Sequence, residues 1–134
     1  MREVTKGVES KFRMNETQRT VLIVDDDLQI LKLLEKMLRT RKVELVSAPR
    51  PSDALAICQL RTVDLLISDV AMPEMDGVKL AERVMKLHPA ARVLLISGTA
   101  KEPSITKSGQ VKFLRKPFFP SQLLDYLHEL LPEV

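Results

Sequence analysis

The chain has one cysteine, Cys58, in 134 residues, so no internal disulfide can form and a disulfide-stapled secreted scaffold is excluded. Cys58 falls in the apolar helical stretch 54–58, where a buried, inert thiol is expected. Tryptophan is absent and aromatics make up 4% of the sequence, which leaves the core to leucine, valine and isoleucine. No apolar run approaches the roughly 20 residues a membrane helix requires. The N-terminus is charged but lacks the apolar segment of a signal peptide, so a cytoplasmic protein with no membrane contact is the default expectation. Charge of one sign is also missing. The formal net charge is +3, and the lysines and arginines are scattered with no basic stripe and no interleaved aromatics, which argues against direct nucleic-acid binding.

What is present is a single α/β pattern. Hydrophobic residues at 45% and charged residues at 29% are those of a globular domain, and the length suits one domain with a real core. Residues 1–19 read as a flexible polar arm. Val4, Val8 and Phe12 recur there at helical spacing, but a helix so short is marginal alone. From 20 onward strands and helices alternate. Residues 20–24, TVLIV, form a continuous β-branched and aliphatic run, the mark of a strand buried on both faces. A helix follows, capped by Asp27, with Ile30, Leu31, Leu34 and Leu38 inward. A second strand covers 43–46. Pro51 and Ser52 then open a helix whose apolar face is read as Ala54, Leu55, Ile57, Cys58 and Leu60.

The third strand, 65–67, leads to Asp69. Val78, Ala81, Val84 and Met85 give the inner face of a third helix that stops before Pro89, and Asp76 with Gly77 shapes its start. The fourth strand is 92–97. Over 100–110 the signal fails: Pro103, two serines, Thr106 and Gly109 surround a lone apolar Ile105, so any helix there is short, distorted or absent. A brief fifth strand, 111–114, precedes Lys116-Pro117-Phe118. The last helix carries Leu123, Leu124, Leu127, Leu130 and Leu131 inward. His88 and His128 read as surface residues. Five strands alternating with helices over short connections require a doubly wound parallel sheet, helices on both faces, joined by right-handed crossovers.

Such a sheet delivers every strand's last residues to one edge. Asp25, Asp26, Asp69, Ser97 and Lys116 all stand at or just past a strand end, so that edge collects three carboxylates, a hydroxyl and an ammonium. Carboxylates packed this closely raise each other's pKa unless a cation intervenes. The cation best suited to an all-oxygen site with room for water is Mg²⁺. A hydroxyl and a lysine beside it suit an incoming phosphoryl group.

These residues, in this order, resemble the receiver domain of two-component response regulators. The likeness runs over about 20–131. It rests on the Asp pair after the first strand, the D-x-x-M-P-x-M-D-G stretch from Asp69 to Gly77, the Ser97-Gly98 step and Lys116-Pro117-Phe118, which are weak singly and specific together. The resemblance implies a three-layer, flavodoxin-like (CheY-like) (βα)5 fold with strand order 2-1-3-4-5. It makes Asp69 the phosphoacceptor. Asp26 becomes the direct carboxylate ligand of Mg²⁺ (or Mn²⁺), with Asp25 acting mainly through water and the Ala71 backbone carbonyl completing the protein ligands, beside Asp69 itself. Lys116 pairs with the acceptor and then the phosphate. Ser97 and Phe113 are the switch pair, and Pro117 follows Lys116 through a cis bond.

The implied partners are a sensor histidine kinase or histidine phosphotransfer protein upstream, and downstream a target protein or an effector domain lying outside this chain. The implied state is a monomer or a phosphorylation-linked dimer. The chain is then a bacterial signalling phosphoacceptor and not an enzyme acting on other substrates. Two departures stand out: Ala71 occupies a position where many members carry a polar side chain, and 100–110 replaces a regular helix. A rival reading is a small phosphohydrolase, since 25–27 contains Asp-x-Asp after a strand. Haloacid-dehalogenase-like enzymes follow that motif with Gly and Thr, whereas Leu28 and Gln29 stand here. A flavin-binding flavodoxin is excluded, because three aspartates occupy the place of its phosphate loop.

Overall fold

The computed structural model describes residues 18–99 and 101–134. Residues 1–17 of the expected arm thus lie outside the described residues, and Arg19 already belongs to the first strand. In chain order the elements are β1 (Arg19–Val24), α1 (Leu28–Leu38), β2 (Val43–Ala48), α2 (Pro51–Leu60), β3 (Leu65–Asp69), α3 (Gly77–Leu87), β4 (Arg92–Ser97), a 3-10 turn (Ser104–Ser108), β5 (Val111–Arg115) and α4 (Pro120–Leu130). All the strand pairings are parallel and the sheet order is β2-β1-β3-β4-β5, as the resemblance implied.

Alternation along the strands splits the core into two apolar layers. Leu22, Val24, Leu66, Val93 and Leu95 meet α2 and α3 on one face. Val21, Ile23, Leu65, Ile67, Leu94 and Ile96 meet α1 and α4 on the other. The central strands are buried on both sides, which is why their sequences run apolar without a break. The helices start where their caps place them. The Asp27 carboxylate accepts the Gln29 N–H at 2.9 Å, and the Asp76 carboxylate accepts the Lys79 N–H at 2.8 Å.

Three readings of the helices change. Leu60 is 86% exposed and lies off the inner face of α2; Pro51, Ala54 and Cys58 are buried there, and Leu55 and Ile57 pack against the same layer as expected. Leu80 is fully buried in α3 and joins the expected inner face, where Ala81 and Val84 are buried and Val78 and Met85 pack against the same layer. His88 is no plain surface residue, because its Nε2 lies 2.8 Å from the Cys58 carbonyl in the last turn of α2.

Between β4 and β5 only the short 3-10 turn forms, in keeping with the expectation of a short, distorted or absent helix there. Pro103 is extended at the entry to the 3-10 turn, and Gly109 closes it with φ +78, a left-handed conformation that favours glycine. Ile105 alone of this turn packs on the apolar layer beneath. One apolar anchor per turn cannot hold a full amphipathic helix.

Candidate functional site

The strand register builds the site. Val24 pairs with Ser68, which sets Asp25 level with Asp69; Asp69 pairs with Ile96, one residue before Ser97; Ser97 pairs with Arg115, one residue before Lys116. Backbone bonds carry the alignment past the strand ends, from Val70 N–H to Ile96 O at 2.9 Å and from Lys116 N–H to Ser97 O at 2.9 Å. Asp25, Asp69, Ser97 and Lys116 therefore arrive at one sheet edge by four separate strands.

The side chains converge there. Carboxylate oxygens of Asp25, Asp26 and Asp69 lie within 4.8 Å of one another. The Lys116 ammonium stands 3.5 Å from Asp25 Oδ2 and 3.5 Å from Asp69 Oδ1. The other Asp25 oxygen accepts the Asp27 N–H at 2.9 Å. Asp25 is buried, Asp69 is mostly covered and Asp26 is exposed. Burial pushes the Asp25 carboxyl above the ordinary carboxylate value; the Asp27 N–H and Lys116 pull it back, and Asp69 and Asp26 add repulsion. Burial likewise raises Asp69, against the pull of Lys116 and with further repulsion from Asp26. One ammonium thus faces three carboxylates, and the site is short of positive charge.

Those donors fit a hard divalent cation. They are carboxylate oxygens held close together, and the exposure of Asp26 leaves space for water ligands, the coordination that Mg²⁺ favours. Ala71, whose carbonyl was expected among the ligands, lies on the exposed loop directly after Val70. The Lys116–Pro117 peptide bond is cis, as expected. Ser97 is buried, and its hydroxyl oxygen accepts the Thr99 N–H at 3.2 Å.

Phe113 does not join the carboxylates. It sits two residues before Arg115 on β5, half-buried against the α2–α3 layer, with the Arg115 guanidinium 5.3 Å from its ring centroid. It lines a groove of about 710 Å³ running along β5 and α4, whose walls include Glu102, Lys116 and Tyr126.

Two features of the site escaped the sequence reading. A Cβ on Gly77 would stand 2.2 Å from the Asp69 carbonyl oxygen, so the glycine lets the start of α3 close over the backbone of β3. The Asp76-Gly77 pair was read only as a turn and a cap. The Ser68 hydroxyl also donates to that same Asp69 carbonyl at 2.9 Å; nothing in the apolar run of β3 marks it.

With fold and site in place, comparison with known proteins assigns the chain to a class. The family model "Response regulator receiver domain" matches residues 21–128, and the chain belongs to that family. Among its relatives, the transcriptional regulatory protein GlrR of Escherichia coli is 32% identical over 84% of this chain, but this match covers only 26% of GlrR. The chain therefore spans about a quarter of the first curated relatives it matches. An uncharacterised 14.6 kDa protein of Leptolyngbya boryana is 36% identical over 84% of this chain and 89% of its own length. Among solved structures, the signal receiver domain of an HD domain-containing protein from Pseudomonas fluorescens superposes with a TM-score of 0.78 at 30% identity. That likeness covers 87% of this chain and 96% of the other. Receiver domains in general are magnesium-binding phosphoacceptors of two-component systems, and the acidic cluster found here is of the kind that can hold the metal.

Proposed function

We propose that Asp69 accepts a phosphoryl group from a phosphohistidine on a sensor histidine kinase or a histidine phosphotransfer protein, and that this changes which proteins the domain contacts. The observation that carries the reading is the convergence of Lys116 on Asp25 and Asp69 at 3.5 Å each, within a carboxylate cluster. An Asp69 oxygen attacks phosphorus, the P–N bond to the donor imidazole breaks, and its electron pair stays on the ring. The product is an aspartyl phosphate. Lys116, already beside the acceptor oxygen, offers its ammonium to the incoming phosphoryl oxygens. The Ser97 hydroxyl, buried one residue beyond the partner of Asp69, then donates to the phosphoryl group. Phe113 on the adjoining strand follows and alters the face formed by β5 and α4.

The Mg²⁺ (or Mn²⁺) ligands in this reading are Asp25, Asp26, Asp69 and the Ala71 carbonyl. Bound there, the cation supplies the positive charge that the carboxylates and the phosphoryl oxygens lack. The chain acts on no substrate beyond its own phosphorylation and dephosphorylation. Its receiver unit runs from β1, which begins at Arg19, to 134, and it works in the cytoplasm, where its donors present phosphohistidine.

A protein donor is favoured by two exposed apolar side chains. Leu28, 61% exposed, opens α1, and Phe119, 74% exposed, immediately precedes α4. Both helices start at the carboxylate edge and lie on the same face of the sheet. The downstream contact is a separate protein or an effector domain outside this chain, reached as a monomer or a phosphorylation-linked dimer.

Phosphotransfer from an autophosphorylated histidine kinase, followed by mapping of the phosphoryl group, tests the assignment. Label on Asp69 that disappears in Asp69→Asn is the expected outcome. Label on another residue, or label that survives the substitution, overturns it.

A further inference from the structure

Glu74 belongs to the loop that follows Asp69, yet its hydrogen bonds go to a different helix. Its Oε1 accepts the Ser52 backbone N–H at 3.1 Å and its Oε2 accepts the Ser52 hydroxyl at 3.3 Å. Ser52 is the second residue of α2, and that helix has no side-chain cap from its own N-cap residue, Arg50. Arg50 is turned to the Asp53 carboxylate instead, at 3.0 Å. The first N–H groups of a helix have no intrahelical acceptor, and a carboxylate is favoured at that end by the helix dipole. Glu74 supplies the missing cap from a loop 22 residues away in sequence.

The other ties of this loop are local. The Gly77 N–H donates to the Val70 carbonyl at 2.8 Å, Asp76 caps α3, and Met72 and Met75 pack on the apolar layer beneath. Glu74 joins the loop to a helix other than the one it leads into. Ala71 lies three residues before Glu74, so its carbonyl rides on a segment anchored by β3 at one end and by the α2 cap at the other.

We infer that Glu74 is a positioning residue. Its cap on α2 holds the 71–75 segment, and with it the Ala71 carbonyl, ready for the divalent cation, and it links cation occupancy to the first turn of α2. The inference rests on the cation reading under Proposed function. Coupling of this kind is reciprocal: whatever frees Ser52 weakens cation binding by the factor with which the cation tightens the Ser52 contact.

The test is a titration of the whole chain with MgCl₂, followed through backbone amide NMR, for wild type, Glu74→Ala and Glu74→Gln. In the wild type the Ser52 amide shifts with the same midpoint as residues beside Asp69. Glu74→Ala raises that midpoint about fivefold, the factor one charge-assisted cap is worth, and speeds Ser52 hydrogen exchange before any Mg²⁺ is added. Glu74→Gln keeps an acceptor and stays within about twofold of wild type. A Glu74→Ala protein that melts lower but keeps the wild-type midpoint overturns the inference alone. A wild type whose amides ignore Mg²⁺ overturns the cation reading together with it.

Discussion

Gly77 packs so tightly under Asp69 that a Cβ there would lie 2.2 Å from the Asp69 carbonyl oxygen and 3.0 Å from the Val70 Cα. The obstacle is backbone, which no rotamer change can move aside. Gly77→Ala is therefore expected to destabilise the domain by about 1–3 kcal/mol, the usual cost of overpacking, and to displace the acceptor strand end. Denaturant unfolding gives the first quantity, and the phosphorylation rate of the folded variant gives the second. A variant as stable and as reactive as wild type would contradict the packing argument.

Burial raises the carboxyl pKa of both Asp25 and Asp69. Between the ordinary value of 3.8 and the raised one, the native state binds more protons than the unfolded chain. Stability of the metal-free protein therefore falls as pH rises through that window. Asp69→Asn removes one of the two ionisations. At neutral pH without Mg²⁺ it should melt a few degrees above wild type, the shift of about 1 kcal/mol in a domain of this size, and the advantage should vanish at pH below 3.8. Excess Mg²⁺ should narrow or reverse the difference, because wild type gains more from binding. Thermal melts of both proteins decide the point, and a metal-free wild type that melts higher at neutral pH contradicts it.

Lys116 is the sole cation recorded beside the Asp25 and Asp69 carboxylates among the described residues, 3.5 Å from each. Lys116→Met should push both carboxyls further up and leave the cation ligands untouched. Mg²⁺ binding then persists, while phosphorylation by acetyl phosphate slows by at least about tenfold, the loss expected when one charge-stabilising donor is removed. A Mg²⁺ titration beside a mass-spectrometric time course separates the two. Loss of Mg²⁺ binding with phosphorylation intact would reverse the roles assigned here.

Ala71 is exposed beside the acceptor and its methyl group can neither hold nor orient water. Ala71→Asn should shorten the lifetime of the aspartyl phosphate by roughly tenfold through a positioned polar group. Decay of the phosphorylated mass over time measures it. An unchanged lifetime shows that water reaches the phosphate without help from this position.

The sheet and its carboxylate edge were legible because their physics is written locally. A strand buried on both faces must be apolar throughout, and the aspartates break those runs where the edge begins. The register does the rest, since Val24 opposite Ser68 and Asp69 opposite Ile96 follow once the strands are parallel and adjacent. Leu60 was misplaced because it lies about 200° around the helix from Cys58 at roughly 100° per residue, which an apolar count along a short helix overlooks. Leu80 was missed by the converse error, a stripe drawn too narrow, since it adjoins Ala81 and Val84 on the same buried face. Gly77 against the Asp69 backbone and Glu74 on Ser52 were invisible for a different reason. Each depends on how closely two segments approach in space, and no pattern along the chain encodes that distance. The segment over 101–110 was readable as a failure of helix signals, whereas the groove along β5 and α4 that Glu102 and Phe113 line was not.

The most direct test of Asp69 as acceptor is the intact mass of the protein after incubation with acetyl phosphate, with and without Mg²⁺, beside Asp69→Asn. One phosphoryl adduct that requires Mg²⁺ and is missing from the variant is the predicted result. An adduct of equal size in Asp69→Asn, or one formed equally well without the metal, would contradict the account.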